Sequence, residues 1–337
     1  MYSEKKMTYN KYLVVGDARE KFKNYCNTDR IYNDHPSMES IMFTINQLRD
    51  IGYNINYFGG IKELVQSVNN SAKYPDTLFF NISDGLEQPN RKAQAAFLLE
   101  MLNVSYTGSD AVSRLISGNK HFAKKLLSGL VQSPKSNLFF SKNDVVKNLS
   151  FPVIVKPNRE GSSLGITQAN ICYSEKELYN FIETYFSFYS EVLIEEYIAG
   201  YELTCFLIGN PSHFYLDEVL LSVYEDEMYF ENFVFGIDEK SARKRIEIPA
   251  SNIISRSTIA EIKSKSKEIF EVLQMRDFAR IDYRYNLQNG LYFLEINGNP
   301  VISNTSEIGN ISRYLNIPYA KIVSYILETA EQRINHE

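Results

Sequence analysis

The chain has 337 residues, of which 44% are hydrophobic, and this length is enough for about two or three globular domains. Its formal net charge of −5, from 36 basic and 41 acidic side chains without a basic block, predicts that nucleic acid is not a partner. No apolar run approaches the roughly 18 residues of a transmembrane helix, and the polar N-terminus lacks the apolar segment of a signal peptide, so we expect no contact with a membrane.

The first third of the chain alternates between strand-like and helix-like patterns. Ser37 stands where its side chain can cap a helix that begins with the following residues. The alternation favours a parallel α/β layer, which we take as a first domain over residues 1–109. In chain order, strands are predicted at residues 12–16, 53–58 and 77–81, and helices from Ser37 to Gly52, from Ile61 and over residues 91–102.

The segment of residues 151–166 carries the most informative motif. Residues 153–155 are typical of a buried strand that ends in Lys156, and a Gly/Ser loop follows at once. Gly161 and Gly165 let the backbone turn so that amide groups converge on one point, which suits a phosphate chain. No Gly-Lys-Ser/Thr opens a helix here, so this is not a P-loop, and an ordinary surface hairpin is the alternative.

The residues around this loop predict a central α+β domain over residues 110–196. Near its end an apolar strand runs into Glu195, the chain turns at a glycine, and Glu202 begins another apolar strand. Residues 197–337 would form a third, mixed domain. The further predicted elements are helices at residues 110–129, 175–186, 259–273 and 319–333, and strands near residues 203, 214 and 228.

A predicted hairpin over residues 279–297 carries three oxygen-bearing side chains. Asp282 lies on its first strand, while Glu295 and Asn297 lie two residues apart on the second and so point to one face. A hairpin can bring Asp282 opposite them. Three oxygen ligands on one sheet face suit a hard cation such as Mg²⁺ that bridges nucleotide phosphates. An exposed hairpin with alternating polar residues is the alternative.

Four motifs follow one another along the chain: the lysine with its Gly/Ser loop, Glu-x-x-x-x-Gly-x-Glu, Arg-x-Asp and Glu-x-Asn. In order and spacing they resemble the ATP-grasp ligases, and within them the D-alanine–D-alanine ligase family, of which this chain looks like a divergent member. The resemblance extends from about residue 78 to the C-terminus. It implies a three-domain ATP-grasp architecture, α/β and α+β, in which the N-terminal parallel α/β domain precedes two α+β domains that clamp ATP.

The resemblance also implies the nucleotide contacts. Lys156 and Lys120 would grip the phosphates, although a helical lysine such as Lys120 is more often a solvated surface charge. Glu195 would accept a hydrogen bond from the adenine amino group and Glu202 would hold the ribose hydroxyls, while Leu294 would pack on the adenine face or simply in the core. The full set of ATP-binding residues would be Lys120, Lys156, Gly161, Ser162, Ser163, Glu195, Tyr197, Ile198, Glu202 and Leu294.

The implied chemistry runs through an acyl phosphate. A carboxylate attacks the γ-phosphorus of ATP, and an amine then attacks the acyl phosphate and releases phosphate. Arg280 would stabilise the negative charge that develops during both transfers. The catalytic residues would be Arg280, Ser162 and Lys156, and the ligands of two Mg²⁺ ions, or of Mn²⁺, would be Asp282, Glu295 and Asn297.

The amino-acid half of the site matches the family less well. Ser306, nine residues after Asn297, matches a residue that holds the carboxylate of the second substrate, and Arg280 would also contact substrate. Glu20 falls at the right distance from the first strand to anchor the amino group of the first substrate. Alignment from the following helix instead places Asn33 there.

Three departures fall around the expected amino-acid substrates. The family's usual Lys-Tyr in its mobile loop is replaced by Val234 and Phe235, so the tyrosine hydroxyl that would meet Ser162 is absent. The usual His-Gly after the third strand is Ser-Asp-Gly at residues 83–85. The usual glycine after the metal-binding asparagine is Val301, whose side chain would intrude on the substrate. The ATP half is therefore conventional, and the donor, the acceptor or both are open.

The leading hypothesis is an ATP-dependent carboxylate–amine ligase that joins two amino-acid or small peptide substrates, with D-alanine the first candidate for both. A dipeptide or natural-product ligase with other substrates is the alternative. A nucleotide-binding regulatory protein without turnover is a third reading, against which the intact Asp–Glu–Asn set argues. A homodimer through the first domain is expected from the resemblance. The cysteines (Cys26, Cys172 and Cys205) are odd in number and far apart, which favours a reducing cytoplasm.

Overall fold

The structure, a computed structural model, describes residues 8–22, 35–86, 90–236 and 245–336. The strands are β1 (Lys11–Val15), β2 (Ile55–Gly59), β3 (Thr77–Asn81), β4 (Ser105–Tyr106), β5 (Ser136–Phe139), β6 (Val153–Pro157), β7 (Ile171–Cys172), β8 (Val192–Glu196), β9 (Gly200–Asn210), β10 (His213–Tyr224), β11 (Tyr229–Phe230), β12 (Arg245–Pro249), β13 (Phe278–Asn286) and β14 (Gly290–Asn297). The helices are α1 (Met38–Asp50), α2 (Ile61–Asn69), α3 (Gln94–Leu102), α4 (Ala111–Ser117), α5 (Lys120–Leu126), α6 (Glu175–Tyr185), α7 (Arg256–Val272), α8 (Glu307–Leu315) and α9 (Tyr319–Ile334).

The first sheet is parallel, with the strand order β2-β1-β3-β4. Helix α1 begins where the sequence predicts, because the Ser37 hydroxyl accepts a hydrogen bond from the amide of Ser40 at 3.1 Å. All residues of β3 are buried, as expected for a central parallel strand covered on both faces. The predicted parallel α/β layer is therefore confirmed.

The helix predicted over residues 110–129 is instead two helices, α4 and α5, and that prediction was wrong. The break falls at Gly118 and Asn119, where the Asn119 side chain accepts a hydrogen bond from the amide of Phe122 at 3.0 Å and caps α5. The new cap makes Lys120 the first residue of a helix. Its amide donates to the carbonyl of Asn158 at 3.1 Å, which ties the start of α5 to the end of β6.

The central sheet is antiparallel, with the order β5-β8-β6-β7. Strands β6 and β8 are neighbours, and Lys156 pairs with Leu193 while Ile154 pairs with Glu195. This register brings the predicted phosphate lysine and the predicted adenine acid onto adjacent strands. Helix α6 covers one face, at the place that its apolar periodicity predicts.

The largest sheet is six-stranded, with the order β12-β10-β9-β13-β14 and β11 paired to β9. Strands β13 and β14 form the predicted hairpin, and Asp282 lies directly opposite Glu295. On the other side of β13, Arg284 lies opposite Glu202 of β9. The alternation along these strands therefore gathers acids and arginines on one face of the sheet.

The parallel sheet and the six-stranded sheet share one hydrophobic core. It contains Tyr12 of β1, Phe206 of β9, Phe278 of β13 and several side chains of α9. Alternate residues of β9, such as Leu207, face a second core beneath α7. The central sheet encloses a separate core built around β6, β8 and α6.

The architecture is the mixed α/β and α+β arrangement expected from the motifs, with a parallel N-terminal sheet followed by two antiparallel ones. The division of the chain after residues 109 and 196 stays a prediction. Among the described residues, no helix combines the length and the apolar character needed to cross a bilayer.

Candidate active site

A cleft between the central sheet and the six-stranded sheet gathers most of the residues that the sequence singles out. Ser162 lies in an adjoining cavity, which Arg280 also lines. The predicted residues that line the cleft itself are Lys120, Lys156, Gly161, Ser163, Glu195, Tyr197, Ile198, Glu202, Arg280, Asp282, Leu294 and Glu295.

The Gly/Ser loop turns sharply after β6. Ser162 and Ser163 both adopt left-handed conformations, with φ of 54° and 60°, and Gly165 has a φ of 74°. A Cβ at Gly165 would also collide with the hydroxyl of Tyr189, so glycine is required there for two reasons. A sharp turn of this kind can direct successive backbone N–H groups toward one point, as in anion-binding turns.

Lys120 projects from the start of α5 into the same space. Its ammonium lies 3.1 Å from Oε2 of Glu295 and donates a hydrogen bond to the carbonyl of Glu160, just before the loop. The side chain is mostly buried, so it is not the solvated surface lysine that its position on a helix suggests. A cation from α5 therefore lies between the Gly/Ser loop and the carboxylates of the hairpin.

Asp282 and Glu295 face one another across β13 and β14. Burial opposes the ionisation of Glu295, but the charges of Lys120 and Arg280 outweigh it and hold its pKa at about 2. Burial raises the pKa of Asp282, and the Glu295 charge raises it further, although Arg280 works in the opposite direction. A bound divalent cation would relieve this repulsion between two buried acids.

Asn297 lies opposite Arg280 in the ladder, and its side-chain oxygen accepts a hydrogen bond from the amide of Asn299 at 3.0 Å. The predicted metal set is thus two carboxylates and an amide oxygen at one end of a hairpin, which are the donors that a hard cation prefers. In the part of the chain that the structure describes, no three His, Cys, Asp or Glu side chains cluster as a metal site of those residues alone. Three protein oxygens leave coordination positions that phosphate oxygens can fill, as is usual when Mg²⁺ or Mn²⁺ binds a nucleotide.

Arg280 connects the cleft to the adjoining cavity. Its Nε and Nη2 lie 3.1 and 2.8 Å from the two carboxylate oxygens of Asp282, and its Nη1 lies 2.8 Å from Oε1 of Glu307. Burial alone would lower the pKa of Arg280, but the carboxylates of Asp282 and Glu307 raise it well above its usual range. A permanently charged, immobilised guanidinium therefore faces both spaces.

At the far end of the cleft, Glu195 is fully buried between two lysines. Lys124 Nζ lies 2.5 Å from one carboxylate oxygen and Lys156 Nζ lies 2.9 Å from the other. Burial acts to raise the pKa of Glu195, but these two charges lower it to about 2. Lys124 was not predicted, yet it lies four residues after Lys120 on the same helical face, which is a signal that the sequence does contain.

Glu202 also has a partner that the sequence analysis missed. Arg284 Nη2 lies 3.1 Å from Glu202 Oε2, and the guanidinium lies 5.7 Å from the ring centre of Tyr197. Arg245 lies at the edge of the same group, 3.9 Å from Glu202. Arg284 is two residues beyond Asp282, so the period-2 pattern of β13 already places it on the functional face.

Apolar side chains enclose this end of the cleft. Ile154 and Val234 are buried together, and Tyr197 packs against them. The hydroxyl of Tyr197 accepts a hydrogen bond from the amide of Phe233 at 2.9 Å, which holds the segment carrying Val234 over the cleft. An apolar slot with one carboxylate at its edge is suited to a purine ring.

The adjoining cavity contains the residues expected to contact amino acids. Ser306, Val301 and Glu307 line it, together with Arg280. The Ser306 hydroxyl lies 2.8 Å from the carbonyl of Val301.

Glu20 does not itself line this cavity, but it lies beside it, because Arg19 and Ser37, the chain neighbours of Glu20 and of Met38, do line it. Its carboxylate accepts a hydrogen bond from the amide of Met38 at 2.9 Å, at the start of α1. Asn33, the alternative to Glu20, lies outside the described residues. The anchor of a first amino acid therefore stays a prediction.

Comparison with known proteins yields a consistent set of relatives. A family model described as the D-ala D-ala ligase C-terminus matches residues 130–328. D-alanine–D-alanine ligase A of Bacillus cereus is 30% identical over 246 residues, which cover 71% of this chain and 76% of that protein. The D-alanine–D-alanine ligase of Aquifex aeolicus is 28% identical over 238 residues, which cover 68% and 75%.

Solved structures agree at the level of the fold. The D-alanine–D-alanine ligase of Bacillus anthracis complexed with ATP matches with a TM-score of 0.73 at 20% identity, over 97% of this chain and 99% of that one. The VanG D-Ala:D-Ser ligase of Enterococcus faecalis matches with a TM-score of 0.70 at 20% identity, over 95% and 99%. This chain thus shares its overall fold with these solved ligases.

Proposed function

Since this chain belongs to the D-alanine–D-alanine ligase family of ATP-dependent, ADP-forming enzymes, we propose that it joins the carboxylate of one amino acid to the amine of another, with D-alanine the first candidate for both. One observation carries the proposal: Lys120, Glu295, Asp282 and Arg280 meet in a single cleft beside a glycine-bent loop. That group of charges can hold a triphosphate and the charge that develops when its terminal phosphoryl group is transferred.

In this proposal ATP lies along the cleft. The adenine would lie in the apolar slot with its amino group donating to Glu195, the backbone near Tyr197 and Ile198 would read the rest of its edge, and Glu202 would hold the ribose. The Gly/Ser loop would cover the phosphates, which Lys120 and Lys156 would hold. Ser163 and Leu294, which line the same cleft, support this placement.

Asp282, Glu295 and Asn297 would hold the divalent metal, which we propose to be two Mg²⁺ ions. When bound, the metal neutralises triphosphate charge and keeps the terminal phosphoryl group aligned for transfer. The facing carboxylates of Asp282 and Glu295 support this assignment, since the charge of Glu295 raises the pKa of Asp282 and a bound divalent cation would offset that repulsion.

The reaction would proceed in two transfers. The carboxylate of the first amino acid attacks the γ-phosphorus of ATP, the bond from phosphorus to the β,γ-bridging oxygen breaks, and ADP leaves with that oxygen as the acyl phosphate forms. The amine of the second amino acid then attacks the acyl carbon, phosphate leaves with the bonding electrons, and the nitrogen loses a proton. Arg280 would stabilise the charge of both transfers, because it faces the cleft and the amino-acid cavity.

The amino-acid cavity favours a second candidate, a ligase whose acceptor is not D-alanine. Val301 fills space where relatives usually have glycine, and the carboxylates of Glu247 and Glu307 also line the cavity. Buried polar groups discriminate strongly between substrates, because a mismatched ligand leaves them without hydrogen bonds. These carboxylates already pair with Arg245 and Arg280, and their negative charge would in addition attract a polar or amino-bearing acceptor side chain.

The deciding experiment is phosphate release from ATP with Mg²⁺ across a panel of D- and L-amino acids, singly and in pairs, with products identified by mass spectrometry. Turnover with D-alanine alone supports the first candidate, and turnover that requires another pair supports the second. Tight ATP binding without phosphate release under any pair would refute the ligase proposal for this chain.

We also propose that the chain forms a homodimer through its first domain. Phe97 and Met101 lie one turn apart on α3 and are 45% and 68% exposed, so they offer an apolar contact on that domain. Light scattering of the purified protein tests this, and a monomer at micromolar concentration would contradict it. The cytoplasmic location stays a prediction from the sequence.

A further inference from the structure

We propose that Lys124 is a positioning residue that sets the nucleobase preference of this enzyme, by keeping the Glu195 carboxylate charged and fixed toward the base. The inference rests on the assignment of Glu195 to adenine in the proposed function. It concerns Lys124, which none of the sequence motifs includes.

The geometry gives Lys124 one partner of opposite charge at contact distance. Its ammonium lies 2.5 Å from Oε1 of Glu195, while Lys156 approaches the other oxygen at 2.9 Å. Only 5% of the Lys124 side chain and 1% of the Glu195 side chain are exposed. Among the described residues, these two lysines make the ion pairs that balance the charge of Glu195, which is almost completely shielded from water.

The two lysines differ in their freedom to leave Glu195. Lys156 lies at the end of β6, beside the Gly/Ser loop, and is the lysine proposed to hold the phosphates. Lys124 lies on α5, and Ala123 of this helix and Leu127 just after its end are buried in the core beneath α7. When a triphosphate draws Lys156 toward itself, Lys124 is the cation that remains on the carboxylate.

The electrostatics support Lys124 as the lysine that stays paired with Glu195. Burial lowers the pKa of Lys124 to about 8, and Glu195 acts against that decrease, so the lysine stays charged at pH 7. Besides Glu195, the charges that Lys124 faces are Lys156 and the more distant Glu295. His121, on the preceding turn of α5, also interacts with Glu195 and Lys124. Loss of Lys124 removes the largest attraction that opposes protonation of Glu195.

The charge state of Glu195 decides which purine it can accept. A carboxylate accepts a hydrogen bond from the 6-amino group of adenine, but it repels the 6-oxo group of guanine or hypoxanthine, which has no proton to donate. A neutral carboxyl group can donate to a 6-oxo group instead. Discrimination by a buried, fixed acceptor is strong because the wrong base leaves it unpaired.

The test compares ATP with ITP, which carries a 6-oxo group in place of the amino group. Lys124→Met removes the charge, and Lys125→Met, at an exposed neighbouring position on α5, is the matched control. We expect Lys124→Met to lower the ratio of ATP to ITP affinity by about tenfold or more, with a larger decrease at pH 6 than at pH 8. Lys125→Met and the charge-preserving Lys124→Arg should keep the original ratio.

Affinities are measured by calorimetry with folded protein, verified by circular dichroism. If Lys124→Met does not fold, Lys124→Gln repeats the comparison without the charge. A folded, uncharged variant with an unchanged ratio overturns the proposal, and so does an equal loss of affinity for both nucleotides, which is what a purely structural lysine would give. Failure of the proposed function is seen separately, as absence of phosphate release from ATP by the unaltered enzyme with every amino-acid pair.

Discussion

Asp282 and Glu295 are direct cross-strand partners in the β13–β14 ladder, so two carboxylates from the two strands of one hairpin share one face of the cleft. If they hold the metal, Glu295→Gln removes one anionic ligand while keeping the shape of the side chain. We expect kcat to decrease by about a hundredfold or more while the protein stays folded, with a lower unfolding temperature because the buried ion pair with Lys120 is lost. Steady-state phosphate release measures the first quantity, and calorimetry the second. Glu261→Gln, at an exposed position on α7, is the control, and an unaltered rate in Glu295→Gln would contradict the metal assignment.

Glu202→Gln tests the ribose contact. The amide keeps the volume of the side chain but loses the ion pair with Arg284. Because ribose contacts stabilise the ground state and the transition state alike, we expect the KM for ATP to rise about tenfold and kcat to change little. Kinetics with saturating amino acids provide both values. Glu183→Gln, at an exposed ion pair with Lys142, serves as control. A normal KM would place the ribose contact elsewhere.

Gly165→Ala tests the phosphate loop. The substitution forces a Cβ into the Tyr189 hydroxyl at a left-handed position, so the loop must shift. Gly129→Ala is a matched control, because Gly129 also has a positive φ but has open space around it. We expect the control to cost about 1–2 kcal/mol of stability from backbone strain alone, with normal ATP affinity. Gly165→Ala should in addition weaken ATP binding, and equal ATP affinities in the two variants would argue against a role of this turn in phosphate binding.

Val301→Gly tests the shape of the amino-acid cavity. Removing the side chain opens space where the second substrate is expected. The preference between a small and a larger acceptor should change by about tenfold or more, in line with the effect of one or two methyl groups in a pocket. Competition between two acceptors, read by mass spectrometry, measures the ratio. Val145→Gly, at a site that is 64% exposed, should leave the ratio unchanged. An identical ratio in Val301→Gly would exclude Val301 from the acceptor site.

Low pH should remove the extra stability that the Glu195 carboxylate gives the fold relative to glutamine. Its folded-state pKa of about 2 lies below the ordinary value of 4.5, so its contribution to stability is complete above pH 4.5 and is lost as the pH falls through 2. The difference in unfolding free energy between the unaltered protein and Glu195→Gln should therefore shrink by about 1.4 kcal/mol for each pH unit below 4.5. Urea unfolding between pH 5 and pH 3 measures it. A constant difference over that range would mean that the carboxylate is not held charged in the fold.

Periodicity predicted the elements whose pattern is local. The parallel layer, the hairpin and the helices α6, α7 and α9 follow from apolar spacing and from caps such as Ser37. The short strands β5 and β7 were not predicted, because they have too few residues to establish an alternation. The break between α4 and α5 was not predicted either, since a glycine such as Gly118 is tolerated inside a helix. The new helix start depends on the hydrogen bond that the Asn119 side chain accepts from the amide of Phe122.

The ion-pair partners of the site residues were harder to predict from the sequence than the site residues themselves. The motifs contain Glu195 and Glu202, but the residues that hold them, Lys124 and Arg284, come from other elements. A sequence pattern reports which face a side chain occupies, whereas a long-range ion pair depends on how the sheets are packed. Charged residues within helices and strands are usually solvated, so their burial is visible only in three dimensions.

The separate core of the central sheet has a mechanical consequence. The parallel sheet and the six-stranded sheet are joined through Tyr12, Phe206 and α9, so they form one packed unit. The central sheet has its own core, so it can pivot against the two joined sheets without disrupting either hydrophobic core. Arg280 and Ser306 belong to the joined sheets, whereas Ser162 of the same cavity follows β6 of the central sheet, so such a pivot would widen the cleft and this cavity together.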